Sequence, residues 1–412
     1  MSRAMSARYD LAVLGAGTAG AALAAFAAQA GLSVLLLERR RASDAGARWV
    51  NGVAAWQFRA AGLAPPTGRE LRGAGHTFHL IAGWGPERVT VKGHDVLDVD
   101  MRFLVERLQR LATQAGATLI DSAHVEGVDG DAIATSRGTF RARYVVDASG
   151  LAGVGLLGRM RPAPGDLCVA AQEVRELTDP DAAHRYFESQ QAAPGDTLCF
   201  SSMAGGYSIV NLRLDDEGVS LLAGSIPGAG RPGGRQLIDD FVAKQPWIGP
   251  RLFGGARAIP LGRPRRPLSR GRHAVLGDAA NQVFAAHGSG IGPGLLAARV
   301  LADLLAGEPE TLRAYTPTWY RSWGGMLLAA DVFRRFSEGL ELDDVRALMR
   351  SGVMNSDGVR ATLEQRLPSV RGAMRGSVDY GVLRRRPRLI LRAAQLAAQV
   401  PWSLLRARTA GE

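Results

Sequence analysis

The sequence of 412 residues contains few cysteines and few lysines. The two cysteines, Cys168 and Cys199, are too few for a disulfide framework or for a cysteine-rich zinc site, and no other metal-binding pattern is present. Both stand in strand-like runs, DLCVAA and DTLCFSS, so we expect two buried thiols and no metal ion. Lys92 and Lys244 are the only lysines among 50 basic residues, so arginine carries the positive charge.

The formal net charge of +11 raises the question of nucleic-acid binding. The excess of arginine accompanies an excess of alanine, glycine and proline, and no nucleic-acid-binding motif is present, so we predict no nucleic-acid partner. Hydrophobic residues make up 46% and charged residues 22% of the chain, which is typical of globular proteins and excludes wholesale disorder.

The chain also lacks long apolar runs. A membrane-spanning helix needs about 18 or more consecutive apolar residues, and the alanine-rich stretch after Gly20 is interrupted by Gln29 and Gly31. The first ten residues lead directly into a predicted strand without the pattern of a secretion signal. We therefore expect no transmembrane segment and a cytoplasmic location.

Glycine, in contrast, is abundant, with 51 residues. Gly15-x-Gly17-x-x-Gly20 follows the buried strand Tyr9–Leu14 and opens an alanine-rich helix. A second buried strand, Ser33–Leu37, ends at Glu38. This order of strand, glycine loop, helix, strand and acid is typical of a dinucleotide-binding βαβ unit. The phosphates meet the helix N-terminus, and the acid accepts hydrogen bonds from a ribose. The carboxylate favours FAD or NAD over NADP.

Two distant motifs favour FAD. Tyr144–Gly150 (YVVDASG) ends a strand with an aspartate, and His273–Ala280 (HAVLGDAA) contains a Gly-Asp pair that a glycine-rich loop, Gly288–Ile291, soon follows. Together with the first glycine loop, these motifs resemble those of the p-hydroxybenzoate hydroxylase, geranylgeranyl reductase and tryptophan halogenase superfamily of FAD-dependent monooxygenases and related flavoproteins. The resemblance covers roughly residues 8–305. It implies an α/β fold, with a Rossmann-like FAD-binding domain, an inserted antiparallel β-sheet lobe that binds substrate, and a helical C-terminal region.

The runs of strands and helices predict where these parts lie in the chain. We expect the discontinuous FAD-binding domain in 1–70, 94–164 and 250–312, and the antiparallel-sheet domain in 71–93 and 165–249. The remaining residues, 313–412, are expected to be helical, and the end of the chain includes a basic amphipathic stretch. This stretch either docks on the protein's own core or contacts a membrane surface.

The resemblance implies a set of cofactor-binding residues. In this sequence they are Gly15, Gly17, Thr18, Ala19, Gly20, Glu38, Arg39, Arg48, Arg102, Val125, Asp147, Gly277, Asp278, Gly290 and Ile291. Asp278 would bind the ribityl chain, and Val125 would lie at the adenine. The amides of Gly290 and Ile291 would face the pyrimidine edge of the flavin, where a helix N-terminus stabilises the negative charge of the reduced form.

Candidate substrate-binding residues are those expected near the flavin. They are Trp49, Asn51, His76, Tyr207 and Phe284, with Trp56 and His79 as further candidates. His287 precedes the glycine loop, so it is the candidate catalytic proton donor, provided that its pKa lies near neutrality. A histidine that only caps this loop is the alternative.

Three functions remain open. The first is an FAD-dependent monooxygenase that hydroxylates an aromatic substrate, either a small molecule or a ring borne by a peptide, through a flavin C4a-hydroperoxide, with NAD(P)H as the transient reductant. The second is a reductase of isoprenoid double bonds similar to geranylgeranyl reductases, and the third is a flavoprotein without turnover. A halogenase is disfavoured, because the strand Gly206–Leu212 lacks the paired tryptophans and the proline of that branch. We prefer the monooxygenase, and the sequence leaves the oligomeric state open.

Overall fold

The protein is described here by a computed structural model, in which residues 8–215, 218–367 and 378–408 are described. Three β-sheets and a set of C-terminal helices form the molecule. This mixed α/β arrangement confirms the predicted fold class.

The first sheet carries the N-terminal βαβ unit, and its strand order is β17–β18–β11–β1–β2–β8. Its strands are β1 (Arg8–Leu14), β2 (Val34–Leu37), β8 (Thr118–Ile120), β11 (Gly138–Asp147), β17 (Ser269–Arg270) and β18 (His273–Val275). A hairpin of β9 (Val125–Asp129) and β10 (Ala132–Thr135) extends from β11. From β8 through β18 neighbouring strands are parallel, and the buried parts of β1 (Leu11–Leu14) and β2 are apolar runs.

Helices α1 (Thr18–Gln29), α3 (Met101–Gln114) and α6 (Ile291–Leu305) pack together against this sheet. The alanines of α1 allow this close packing, since every residue from Gly20 to Ala28 is buried. The side chain of Asp100 caps α3 by accepting a hydrogen bond from the Arg102 backbone N–H at 3.1 Å.

The second sheet has seven strands in the order β16–β12–β15–β14–β13–β5–β6. Its strands are β5 (Phe78–Ala82), β6 (Arg88–Val91), β12 (Leu167–Leu177), β13 (Thr197–Ser201), β14 (Ser208–Asp215), β15 (Gly218–Ser225) and β16 (Ile248–Pro260). All pairs are antiparallel except β13 with β5. One face packs its alternate apolar residues on helices α4 (Pro180–Ser189) and α5 (Gly234–Val242).

A third, three-stranded sheet joins β3 (Val50–Ala54), β7 (Val96–Asp100) and β4 (Leu71–Ala74). Helix α2 (Ala55–Ala60) follows β3 directly. The ion pair between Arg213 on β14 and Asp98 on β7 connects this sheet to the seven-stranded one.

The described parts of the C-terminal region, 313–367 and 378–408, are mainly helical, as predicted, and the rest of the predicted region lies outside the described residues. The described parts comprise α7 (Tyr315–Trp319), a π-helical turn (Tyr320–Gly324), α8 (Gly325–Glu338), α9 (Leu342–Arg350), α10 (Ser356–Leu363), α11 (Tyr380–Leu383) and α12 (Pro387–Arg408). Helix α12 packs against α8. None of the helices in the described part of the chain combines the length and the apolar character needed to cross a bilayer.

The inserted lobe, which we expected to be an antiparallel sheet, also contains the helices α4 and α5. Their amphipathic faces cover one side of the sheet. Helix α6 begins at Ile291, and its first turn contains glycine and a proline, which is tolerated at this position.

Candidate active site

The first glycine loop has a shape that only glycine permits. Gly15 has a φ of +109°, and a methyl group on it would lie 2.6 Å from the carbonyl oxygen of Ala148. A methyl group on Gly20 would collide with the carbonyl oxygen of Gly15. Gly17 precedes α1, and no side chain caps that helix. The loop therefore presents bare backbone at the positive end of a helix, which is an arrangement that binds phosphate groups.

Two buried polar side chains hold this loop in place. The carboxylate of Glu38, at the end of β2, accepts hydrogen bonds from the backbone N–H groups of Ala16 at 3.0 Å and Arg40 at 3.1 Å. The amide of Gln109 on α3 donates to the carbonyl oxygens of Ala16 and Ala42. Sequence reasoning missed Gln109. A glutamine beside the apolar stripe of α3 was the available signal.

The YVVDASG motif reaches the same loop. Gly20 and Gly15 pack on Ala148, which follows β11. The carboxylate of Asp147 accepts hydrogen bonds from Ser149, through its backbone N–H and its hydroxyl, and from the backbone N–H of Gly155. Asp147 therefore organises the loop after β11, and its carboxylate oxygens are occupied by that loop.

The third motif converges from the opposite side of α1. A methyl group placed on Gly277 would lie 3.1 Å from the side chain of Ala19, and one placed on Gly294 would lie 3.2 Å from it. A methyl group on Gly290 would lie 2.9 Å from a carboxylate oxygen of Asp278. Three distant segments thus meet around the N-termini of α1 and α6, which no side chain caps.

Asp278 is the least satisfied carboxylate of this group. Burial raises its pKa, the nearby Arg257 opposes that rise, and no described residue donates a hydrogen bond to its side chain. Arg257, on β16, also lies near Gly150, since its guanidinium is 3.8 Å from a methyl group placed there. Together with the narrow glycine loop and the uncapped helices, this unsatisfied acceptor fits a bound dinucleotide with hydroxyl groups and phosphates.

A cavity of about 200 Å³ adjoins this point. Its lining residues are Asp147, Gly150, Leu151, Ala152, Gly153, Gly155, Gly158, Arg159, Met160, Arg161, Arg265 and Ala279. Arg265 is held by the carbonyl oxygens of Leu157 and Gly158.

The other predicted cofactor residues have mixed surroundings. Thr18 and Ala19 form the first turn of α1, and Arg39 is exposed beyond β2. Arg48 is exposed and bonds to Asp44 and the carbonyl oxygen of Ser43, so it stabilises its own loop. Arg102 forms two side-chain hydrogen bonds with Asp100, at 3.0 and 2.7 Å. Val125 begins β9 and packs against an apolar cluster on the sheet.

The candidate substrate residues are not all in one place. The ring of Trp49 packs over Gly255, where a methyl group would lie 3.1 Å away, and Asn51 lies on β3. The hydroxyl of Tyr207 would lie 3.4 Å from a methyl group on Gly288, in the loop before α6.

The remaining aromatic and histidine candidates have structural surroundings. The ring of Phe284 is buried in the core, and that of His76 lies between Gly73 and Gly195. His79 is buried between Thr90 and Asp196, at 3.2 and 3.3 Å.

Trp56 also has a structural role. Its indole N–H donates to the carbonyl oxygen of Glu364 at 2.7 Å, and its ring lies against Trp323. It therefore joins α2 to the C-terminal region.

His287 does not have the environment of a proton donor at neutral pH. Burial lowers the pKa of its imidazole to about 4, and Nε2 lies 3.1 Å from the carbonyl oxygen of Thr362. The ring is therefore neutral and tied to α10. This agrees with the alternative that His287 stabilises the loop and corrects the expectation of a pKa near neutrality.

Sequence reasoning also missed two pairs of buried amides. Gln57, against Gly292 in the first turn of α6, donates from Nε2 to Oε1 of Gln365 at 3.0 Å. On the seven-stranded sheet, Gln172 and Asn211 lie on either side of Leu222, and each has a buried side-chain oxygen without a hydrogen-bond partner. The position of one glutamine or asparagine in a strand or helix does not predict which distant residue it will contact in the folded protein.

Comparisons with known proteins identify the class. Residues 10–190 match the family model described as FAD dependent oxidoreductase. A geranylgeranyl bacteriochlorophyll reductase-like protein from Thermoplasma acidophilum has the same fold, with a TM-score of 0.72, 17% identity and coverage of 94% of this chain and 99% of that one. The chain is therefore an FAD-dependent oxidoreductase with the fold of the flavoprotein superfamily that its motifs predicted.

The similar curated proteins are more specific. The chain is 28% identical to digeranylgeranylglycerophospholipid reductase 2 of Methanothermobacter thermautotrophicus, over 84% of this chain and 91% of that protein. It is 24% identical to the protein of the same name from Methanopyrus kandleri, over 94% and 99%. These relatives are reductases, so our preference for an aromatic monooxygenase was wrong. The error arose because the motifs that hold FAD are common to both branches and do not specify the reaction.

Proposed function

We propose that the protein is a flavin-dependent reductase of isoprenoid carbon–carbon double bonds. The observation that carries this proposal is its similarity, over 84% and 94% of the chain, to two proteins named digeranylgeranylglycerophospholipid reductase. The substrate would be a lipid with an unsaturated isoprenoid chain.

FAD, when bound, would supply the hydride for such a reduction. The chain's part is to bind and orient it. The backbone of Gly15–Gly20 and the N-terminus of α1 would hold the pyrophosphate, and Glu38 would accept from the adenosine ribose. Asp278, which lacks a donor among the described residues, would accept from a ribityl hydroxyl.

The N-terminus of α6 supports a role in stabilising negative charge. No side chain caps this helix, and the backbone N–H groups of Ile291 and Gly292 lie in its first turn without an intrahelical acceptor. These groups and the positive end of the helix would face the electron-rich edge of the reduced cofactor. Gln57, packed against Gly292, fixes the position of this turn.

Residues from the seven-stranded sheet and the neighbouring loops form a buried apolar cluster beside the glycine-rich loop before α6: Cys168, Ala170, Tyr207, Ile226, Ile259, Leu261, Val283 and Ala285. A methyl group on Gly288 would contact both Ile259 and Leu261. We propose that the isoprenoid chain binds beside this cluster, where burial of apolar area would stabilise it.

Reduction of an alkene adds a hydride to one carbon and a proton to the other. A tyrosine hydroxyl carries its proton at neutral pH, and burial raises the pKa of Tyr207 further. This hydroxyl lies beside Gly288 and would hold a proton close to the substrate. We propose NAD(P)H as a transient reductant, because the sequence carries one dinucleotide-binding motif.

The test is an anaerobic reaction of the FAD-loaded protein, reduced by dithionite, with a geranylgeranyl glycerol phosphate lipid in detergent. We expect oxidation of the reduced flavin together with a product that mass spectrometry shows to have gained two hydrogens for each double bond. Tyr207→Phe serves as the matched variant, with the same fold and a slower reaction. An unchanged lipid, with flavin oxidised only after oxygen is admitted, would reject the proposal.

A further inference from the structure

Helix α12 has two apolar sides, of which one is largely buried against the described part of the protein and the other is exposed. Leu389, Ala393, Leu396, Val400, Leu404 and Ala407 lie on the side that packs against the rest of the molecule. A methyl group on Gly325 of α8 would lie 3.2 Å from Leu404 and 3.3 Å from Ala407, so this contact is close. The inner stripe accounts for the docking of the helix on its own core.

The second side is exposed and apolar. At 100° per residue, one continuous face, which we call the outer face, carries Ile390, Leu391, Ala394, Gln395, Ala397, Ala398, Pro401, Trp402 and Leu405. All nine residues are exposed, and Gln395 is the only polar one. Leu391 is 62% and Ile390 45% exposed, which is unusual for two adjacent large aliphatic residues on a helix.

Positive charge borders the outer face. Arg384, Arg385 and Arg388 are exposed at the start of the helix, and Arg392 lies at its edge. The sequence from Tyr380 to Arg408 contains seven arginines and no acidic residue. An exposed apolar face bordered by arginines is the pattern of a helix that lies in the interface of an anionic bilayer.

We propose that the outer face of α12 docks the protein on the surface of an anionic lipid bilayer. A second copy of the chain is a poorer partner for this face, because a symmetric pairing would bring two sets of arginines together without acids to neutralise them. A bilayer supplies both the apolar interior and the negative headgroups. The inference rests partly on the proposed function, since an isoprenoid lipid resides in a bilayer.

Contacts lead from this helix to the candidate active site. Arg392 donates to the carbonyl oxygen of Gly339, at the end of α8. The adjacent Glu338 accepts a hydrogen bond from the backbone N–H of Tyr207 at 3.2 Å. Tyr207 in turn lies beside Gly288. A protein held by α12 would therefore keep this side of the active site close to the bilayer that contains its substrate.

The test is co-sedimentation of the FAD-loaded full chain with vesicles, without turnover. We expect binding to phosphatidylglycerol vesicles at least tenfold stronger than to phosphatidylcholine vesicles. This binding should weaken as the salt concentration rises from about 0.05 to about 0.5 M. Equal binding to the two lipids, or none to either, overturns the proposal.

Two sets of variants locate the contact. Arg384→Glu, Arg385→Glu and Arg388→Glu combined should lower binding at least tenfold. The control has the same change of charge elsewhere on the exposed surface, at Arg110, Arg235 and Arg313. Ile390→Ser with Leu391→Ser should also weaken binding, compared with Leu252→Ser and Val353→Ser, which remove exposed apolar residues away from α12. If both α12 variants bind like their controls, the proposal is rejected.

The flavin absorbance of each variant reports its folding, and the serine pair remains informative if the triple variant does not fold. Light scattering tests whether a second copy of the chain binds the outer face instead. A dimer in the unchanged protein that Leu391→Ser dissociates would overturn the bilayer proposal. The assay with detergent-solubilised lipid requires no bilayer. If the detergent assay shows no reduction of the lipid but the protein binds vesicles, only the proposed function is rejected. If the lipid is reduced but the protein does not bind vesicles, only the docking surface is rejected.

Discussion

The ring Nε2 of His287 lies 3.1 Å from the carbonyl oxygen of Thr362, and this contact joins the loop before α6 to helix α10. Burial lowers the pKa of the imidazole to about 4. The pair connects segments 75 residues apart and holds the loop that leads to Gly290. We propose that His287 is a positioning residue that shapes the glycine loop.

We predict that His287 makes the protein less stable at acid pH. Because its pKa is near 4 in the folded state and about 6.5 in the unfolded state, the unfolded state binds more protons between these values. Stability should therefore fall as the pH drops from about 6.5 towards 4 and be unaffected by this group above 6.5. The contribution is at most about 3 kcal/mol.

Urea unfolding of His287→Phe and the unchanged protein over this pH range measures the effect. The variant should show a smaller loss of stability on acidification. His124→Gln, at an exposed histidine, is the control and should follow the unchanged protein. An acid-side slope identical in all three proteins would show that His287 does not titrate as predicted.

Asp278→Asn should have opposite effects on the free and the FAD-bound protein. Without cofactor, burial disfavours the charged carboxylate and raises its pKa, so the asparagine should raise thermal stability. With cofactor, loss of a charged acceptor should weaken FAD binding by roughly tenfold. Scanning calorimetry and fluorescence titration with FAD measure these changes. Asp129→Asn, at an exposed position, is the control, and an equal change in both states would contradict the proposed contact.

Gly20→Ala should disrupt the cofactor loop. Its methyl group would meet the carbonyl oxygen of Gly15, so the loop must shift, at a cost of about 1–3 kcal/mol. We expect purified protein with little or no FAD and an affinity at least tenfold lower. Gly127→Ala is the matched control, because a methyl group at Gly127 meets no atom within 4 Å. Full FAD content in Gly20→Ala would refute the close packing of this loop.

Asp331→Asn should strongly destabilise the C-terminal region. This fully buried carboxylate pairs with Arg334 at 3.0 Å, Arg335 at 3.1 Å and Arg263 at 3.2 Å. Arg334 is itself buried, so loss of the charge leaves it under-compensated, at a cost of about 3–5 kcal/mol. Asp303→Asn removes an exposed pair with Arg299 and should cost about 1 kcal/mol or less. Similar denaturation midpoints for the two variants would argue against this role.

Local pattern was sufficient to predict the nucleotide-binding half of the fold. Strand β1, the glycine loop, α1 and β2 follow one another within thirty residues, and each requires a particular residue type: apolar runs for buried strands, glycine for close backbone approach, and Glu38 at the strand end. The motifs around Asp147 and Asp278 are equally local. The sequence by itself therefore determined the fold class and the dependence on FAD, but not the reaction.

The surroundings of individual side chains were decided by tertiary structure. His287 contacts Thr362, 75 residues away, and Trp56 contacts Glu364, 308 residues away. Nothing in the local sequence around His287 or Trp56 predicts these contacts. The pKa of a histidine and the exposure of a helix face depend on which distant atoms pack against them. For that reason the low pKa of His287 was not predicted from the sequence. For the same reason only the folded chain distinguished the inner stripe of α12 from its exposed outer face.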